Sequence, residues 1–215
     1  MSGDPTKLRR MPERGHHDRA TIDAILDEGL VCHVGIIDDG PVVIPTGYVR
    51  DGDRLLLHGS RASRLMRHLA AGQPACITVT LLDALVLARS GFNHSMDYRS
   101  VVLFGAARPL ADKEAVLRTY LERLLPGRWD TLRPVTAQEV AATEVVEFPI
   151  DKASAKVRAY GVKDEPEDLE FPVWAGTIPL TLATGAPRAA AGVALEAPSA
   201  LAAWRPSQRH ASTSS

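Results

Sequence analysis

The 215-residue chain predicts an α+β fold built around an antiparallel sheet or barrel. Three observations carry that reading. Apolar strand-like runs succeed one another through short turn signals, as in LVCHVGII-DDG-PVVIPTGYV-DGD-RLLLH. Helical patterns fall between groups of strands, not after each one. The regular strand–helix alternation of a doubly wound sheet is missing.

Residues 1–17 are polar and read as an N-terminal arm. DRATIDAILDEG predicts a short helix with Ile22, Ile25 and Leu26 on one face and Gly29 at its end. LVCHVGII, PVVIPTGYV and RLLLH then read as three strands. SRASRLMRHLAAG is helical, with a Leu65, Met66, Leu69 stripe closed by Gly72. PACITVTLL and ALVLARS are read as two strands, and YRSVVLFGAARPL as a long one with Gly105 at a bulge. Asp112 caps the next helix, along which Leu117, Leu121 and Leu124 repeat; Pro126-Gly127 end it. Thr136 to Glu139 (TAQE) is a capping box for a further short helix. TEVVEFPI and SAKVRAYG close the ordered part as strands. The domain is set at 18–179. Residues 180–215 are rich in Ala, Pro, Ser and Gly and read as a disordered tail.

Composition narrows the function classes. A formal net charge of −1 favours neither nucleic acid nor an anionic membrane surface. No run of apolar residues is long enough to span a bilayer, and the N-terminus lacks the apolar core of a secretory signal. Cys32 and Cys76 lie in apolar strands without CxxC spacing, which fits free thiols in a cytoplasmic protein. No His, Cys, Asp and Glu set has zinc-site spacing, so no metal site is expected.

The junction LLLHGSRASRLMRHLAAG carries the chemistry. A strand runs into a helix N-terminus, where backbone N–H groups lack intrahelical partners and the macrodipole is positive. Gly59 permits close approach, Ser60 and Ser63 offer hydroxyls, and Arg61 and Arg64 add charge. The residues suit a phosphate cradle. They equally suit a capped surface helix with solvated arginines.

VVIPTGYV, LLLHGSRASR, YRSVVLFG, KVR and PVWAG occur in an order that resembles the pyridoxamine 5′-phosphate oxidase-like family of FMN-binding split β-barrels, nearest its nitroimidazole-resistance branch. The likeness runs from about Ala20 to Pro179. It implies a six-stranded antiparallel split barrel with flanking helices, and a homodimer with one FMN in each of two intersubunit clefts. Carried over by position, Pro45, Thr46, Gly47 and Tyr48 would face the flavin ring. His58 and Gly59 would lie beside the ribityl chain, and Ser60, Ser63 and Arg64 would hold the phosphate. The family's Arg-Lys pair falls on Arg64-Leu65 here, so Arg61 would supply the missing cation. Arg99 and Ser100 match its Arg-Gln-Val stretch.

Lys156 and Arg158 alternate on a strand and share a face, where Lys156 would sit near a reduced flavin; they equally suit surface charges or partners of Glu144 or Glu147. Trp174 is similar in context to a Trp-Gly-Gly segment of the oxidases and would either cover the flavin cleft or pin the tail to the barrel. His33 reads as structural, His16-His17 as part of a solvated arm, and His94 as a loop residue within reach of the cleft. The implied activity is flavin-dependent oxidation or reduction of a small molecule, with NAD(P)H as a candidate donor. Alternatives are a non-catalytic flavin- or nucleotide-binding or redox-sensing protein, or a relative that binds haem or the deazaflavin F420, with His58 as the axial candidate. Pyridoxamine-phosphate oxidation itself is not expected. The Arg-x-His clamp of those enzymes has no counterpart but Arg209-His210 in the tail.

Overall fold

A computed structural model of the chain describes residues 3–205. Eleven strands form two antiparallel sheets. The first sheet contains β1 (Gly15–His16), β2 (Val31–Ile37), β3 (Pro41–Gly47), β6 (Pro74–Leu87), β7 (Ser95–Ala106), β10 (Ala153–Arg158) and β11 (Gly176–Pro179). Its order is β1-β10-β7-β6-β2-β3, with β11 also paired to β6. The second contains β4 (Val49–Asp51), β5 (Arg54–Ser60), β8 (Arg108–Pro109) and β9 (Thr143–Pro149), in the order β4-β5-β9-β8. The antiparallel α+β reading holds, while the expected six strands become eleven.

One apolar cluster joins the two sheets. Val34, Ile77, Val79, Val101 and Leu103 from the first meet Leu55, Leu57, Val146 and Phe148 from the second. Helices α1 (Arg19–Glu28) and α2 (Arg64–Ala70) close it with the stripes the sequence predicts, Ile22, Ile25, Leu26 and Leu65, Met66, Leu69. Asp18 caps α1 by accepting from Thr21 N at 2.8 Å. Gly72 follows α2 at φ 67°, a conformation that glycine adopts without strain. Helices α3 (Lys113–Leu124) and α4 (Ala137–Ala142) carry the expected Asp112 cap and the Thr136–Glu139 capping box. A four-residue helix, α5 (Ser199–Ala202), lies near the end of the described chain.

Five expectations are corrected. PVVIPTGYV is not one strand: β3 stops at Gly47, and the chain crosses to the second sheet at Tyr48. The two strands expected across 74–90 are one, β6, whose register shifts between Leu82 and Ala84. The bulge therefore lies there, and Gly105 pairs regularly with Ala75. α3 turns Val116, Tyr120 and Leu124 toward Val49 and Leu56, an i, i+4, i+8 face in place of the leucine repeat.

The fifth correction concerns the tail. Over 180–205 it is tied to the body: Leu180 N donates to Asp83 O at 2.8 Å, and Trp204 Nε1 donates to Leu124 O at 2.8 Å. The arm is tied down too, since β1 pairs with β10 at Gly15–Lys156 and His16–Ala155.

Candidate functional site

Most of the residues singled out in the sequence fall into two groups at different places on the two sheets, with Arg99 and Trp174 apart from both. The first group lies where β5 runs into α2. Ser63 Oγ caps α2 by accepting from Met66 N at 3.2 Å, and Ser60 Oγ accepts from Ala62 N at 3.3 Å. A Cβ on Gly59 would meet Met66 Cγ at 3.0 Å, so this glycine serves the close packing of strand on helix. Arg64 Nε stands 3.6 Å from Asp38 Oδ2, with both side chains about half exposed. Arg61 is exposed and joins no ion pair among the described residues. Of the two candidate phosphate cations, Arg61 is thus the uncommitted one.

His58 points between β5 and α3. Its ring meets Tyr120 edge-on, with centroids 4.4 Å apart, and its Nδ1 is buried without a hydrogen-bond partner. Burial pushes its pKa below the ordinary 6.5, since the charged form loses hydration without gaining an ion pair.

The Pro45–Tyr48 stretch divides. Pro45 and Thr46 lie on β3, a strand at the edge of its sheet, paired to His33 and Cys32. Gly47 ends that strand; a Cβ there would lie 2.8 Å from Tyr120 Oη, so a side chain would require Tyr120 to shift. Tyr48 is a correction: it is fully buried, and its hydroxyl donates to Leu26 O at 2.6 Å. The side chain expected at a flavin plugs the corner between the sheets.

Arg99 is likewise committed. It grips Glu28 with Nη1 and Nη2 at 2.6 and 2.9 Å, and Asp83 with Nε and Nη2 at 3.0 and 2.7 Å. These carboxylates, Asp83 first, push its pKa still higher. It lines a cleft of about 540 Å³ whose other wall includes Leu180, Leu182 and Arg205. Trp174 is 67% exposed and lies over Gly176, where a Cβ would come within 2.7 Å of the indole.

The second group surrounds a cleft of about 790 Å³ between the N-terminal arm, the loop before β7 and the end of β10. Ser100 and Lys156 are directly paired across β7 and β10, so their side chains share a face. Lys156 and Arg158 both line the cleft, as their alternation predicts. Arg158 is 4% exposed and is ion-paired with Asp97, which also accepts from Gly161 N at 3.2 Å. The guanidinium groups of Arg158 and Arg14 stack on the Tyr160 ring, at 4.2 and 5.1 Å from its centroid.

His94 lies on the rim of the same cleft, with Phe92, Arg10 and Lys163. In the sequence His94 carries little weight, Arg10 reads only as part of the polar arm, and Phe92 and Lys163 carry no signal. Ser90, whose Oγ accepts from Asn93 N at 3.3 Å, is the local signal for the turn that presents them.

His33 is exposed in mid-strand. Cys32 is fully buried, with a thiol pushed up to about 12 by burial, and Cys76 is half-buried; both are free. Among the described residues, no group of three or more His, Cys, Asp and Glu could hold a metal ion, and no helix is long and apolar enough to cross a membrane. Arg209 and His210 lie outside the described residues.

Comparison with known proteins places this geometry. The family model described as pyridoxamine 5′-phosphate oxidase matches residues 18–157. The flavocytochrome Anf3 from Azotobacter vinelandii is 40% identical, with 94% of this chain and 97% of that one covered at a TM-score of 0.89. A protein from Mycobacterium smegmatis described as FAD- and haem-binding is 38% identical, with 87% and 95% covered at 0.84. A candidate 5-nitroimidazole antibiotic resistance protein from Bacteroides thetaiotaomicron is 24% identical, with 66% and 86% covered at 0.52. The last shares the fold. No curated protein matches the chain. A family model spanning most of the chain and relatives near 40% identity agree, and the chain belongs to the pyridoxamine 5′-phosphate oxidase family.

Proposed function

We propose that this chain is a redox protein of flavocytochrome type that holds FAD and haem, working as a homodimer. One observation carries the reading: two chains 40% and 38% identical to it, over 94% and 87% of its length, are described as a flavocytochrome and as FAD- and haem-binding. FAD accordingly replaces the FMN expected from the sequence. The bound flavin would supply hydride or single-electron transfer and the haem single-electron transfer.

This chain's own groups suit a flavin phosphate. Arg61 is exposed and unpaired among the described residues, beside a turn whose serines already satisfy the local backbone. The homodimer is supported by apolar side chains left in solvent near β11, among them Phe171, Val173, Trp174 and Ile178 at 45–67% exposure.

The test is the absorption spectrum of the purified protein, followed by mass identification of the released flavin and a pyridine haemochrome assay. FAD with a Soret band is expected. Released FMN, or protein that takes up neither group on titration, refutes the reading. Bleaching of the flavin by NAD(P)H would mark an enzyme and not a store. Light scattering on the loaded protein should give twice the chain mass.

A further inference from the structure

Resting on the flavin-and-haem reading, we propose that the arm–β10 cleft is the haem site and that His94 Nε2 is the axial ligand.

Three properties of the cleft converge on a flat, anionic, metal-bearing molecule. The first is the imidazole. His94 Nδ1 stands 2.9 Å from Ser90 O. A carbonyl oxygen only accepts, so Nδ1 is the protonated nitrogen and, in the neutral ring, the lone pair belongs to Nε2. Metal-ligating histidines are oriented this way, with the outer nitrogen anchored to a backbone carbonyl. The ring is exposed on the cleft rim, so Nε2 is accessible. Imidazole is also a common axial donor to haem iron.

The second property is apolar. Phe92 is 96% exposed on the same rim, and Met11 is 40% exposed there. A porphyrin face laid on these side chains would remove their apolar surface from water, which favours binding.

The third property is charge. Five cations, Arg10, Arg14, Lys156, Arg158 and Lys163, line the cleft against two carboxylates, Glu13 and Glu165, and Arg10, Lys156 and Lys163 pair with no carboxylate among the described residues. Two propionates would find cations here without breaking an existing bridge. Beneath them the Asp97–Arg158 pair is already closed on itself. The volume of about 790 Å³ lies within the roughly 300–1,000 Å³ usual for cofactor pockets.

A flavin would use the cations and the phenyl ring but has no need of an imidazole lone pair. His58, the axial candidate from sequence, fits worse: its Nδ1 is buried without a partner and its ring is packed on Tyr120. The only cysteines are Cys32 and Cys76, so no CxxCH attachment exists and the haem would be held non-covalently.

The experiment uses the full chain, loaded with flavin and titrated with hemin, in the wild type and in His94→Ala, His58→Ala and Lys156→Ala. Circular dichroism checks folding. The wild type should take up one haem per chain with a Soret band. His94→Ala should bind haem at least tenfold more weakly with a shifted band, and added imidazole should restore the wild-type band. Lys156→Ala should lower affinity with the band unchanged, and His58→Ala should alter neither. A wild-type spectrum and affinity in His94→Ala overturns the proposal, as does loss of flavin, with haem intact, from that variant. If the wild type takes up flavin but no haem, the haem half of the functional reading has failed, and the assignment falls with it. An unfolded His94→Ala leaves the decision to His94→Gln, which should keep the fold and lose the wild-type band.

Discussion

Two polar regions flank the barrel, and they spend their polar groups differently. At the β5–α2 junction nearly every group has a local duty: Ser60 and Ser63 hold the turn and cap, Gly59 admits Met66, and Arg64 faces Asp38. In the arm–β10 cleft one pair, Asp97–Arg158, builds the floor, while Arg10, Lys156 and Lys163 stand above it without a carboxylate partner among the described residues, and Lys156 Nζ donates only to the Arg10 carbonyl at 3.4 Å. A motif that looks like a ligand cradle in one dimension can therefore be used up by its own fold. A stretch with no motif can leave its groups free for a ligand.

The largest expected effect comes from breaking the floor of the cleft. Asp97→Ala leaves the Arg158 guanidinium, in a residue 4% exposed, without its carboxylate. Removing one partner of a buried pair costs about 3–5 kcal/mol. Urea denaturation should show a loss of that size, and Asp97→Asn a smaller one. A loss under 1 kcal/mol in the alanine variant would mean that water reaches Arg158, and the floor is not closed.

Arg99 sharpens the comparison from the other side, because sequence assigned it to the cofactor and the fold binds it to Glu28 and Asp83. Its side chain is 30% exposed, so each bridge is partly screened. Arg99→Ala should cost about 1–2 kcal/mol through lost packing and pairing. Flavin affinity should follow only as far as stability does. A variant that unfolds like the wild type but releases its flavin would return Arg99 to the cofactor.

How much was legible in the sequence follows from such cases. The stripes of α1 and α2, both capping motifs and the antiparallel succession were readable because they depend on neighbours three or four residues apart. The joining of 74–87 into one strand was not, since Asp83 at its bulge looks like a loop until Arg99 supplies the opposing charge. Tyr48 was misplaced because its partner is a carbonyl 22 residues earlier. Trp204 was lost in a low-complexity stretch, though its indole N–H reaches α3. The surroundings of His94 were not legible because its neighbours in the cleft come from residues 10–11 and 156–165.

His58 gives a smaller effect, with its sign set by pH. Burial lowers its folded pKa, so as pH falls through the ordinary 6.5 the unfolded chain takes up a proton first. This histidine therefore costs no proton-linked stability above that pH and removes stability progressively below it, down to the folded pKa. His58→Phe keeps a ring against Tyr120 and deletes the orphaned Nδ1. At pH 7.5 it should be neutral or stabilising by up to about 1 kcal/mol. Between pH 6.5 and 5 its advantage over the wild type should grow. A destabilising change with no pH dependence would show that Nδ1 has a partner in solution.

The smallest effect is expected at Arg64, where the two regions are most directly opposed. Its nearest carboxylate, Asp38, stands 3.6 Å away with 45% of its side chain exposed, against 53% for Arg64. An exposed pair of this kind contributes about 0–1 kcal/mol, so Arg64→Ala should shift the unfolding midpoint little. Its effect on flavin affinity should also be modest. A charge-assisted contact to phosphate is worth about 1.5–3 kcal/mol, but a guanidinium already facing Asp38 must first give up that attraction. The expected loss is less than tenfold, against a larger one for Arg61→Ala, whose guanidinium has no competing partner among the described residues. Asp38→Ala should move the other way, freeing Arg64 and tightening the flavin slightly. Flavin fluorescence titrations of the three variants give the order. If Arg64→Ala loses a hundredfold and Arg61→Ala nothing, the junction is a cradle despite its local bonds, and the contrast between the two regions is broken at its clearest point.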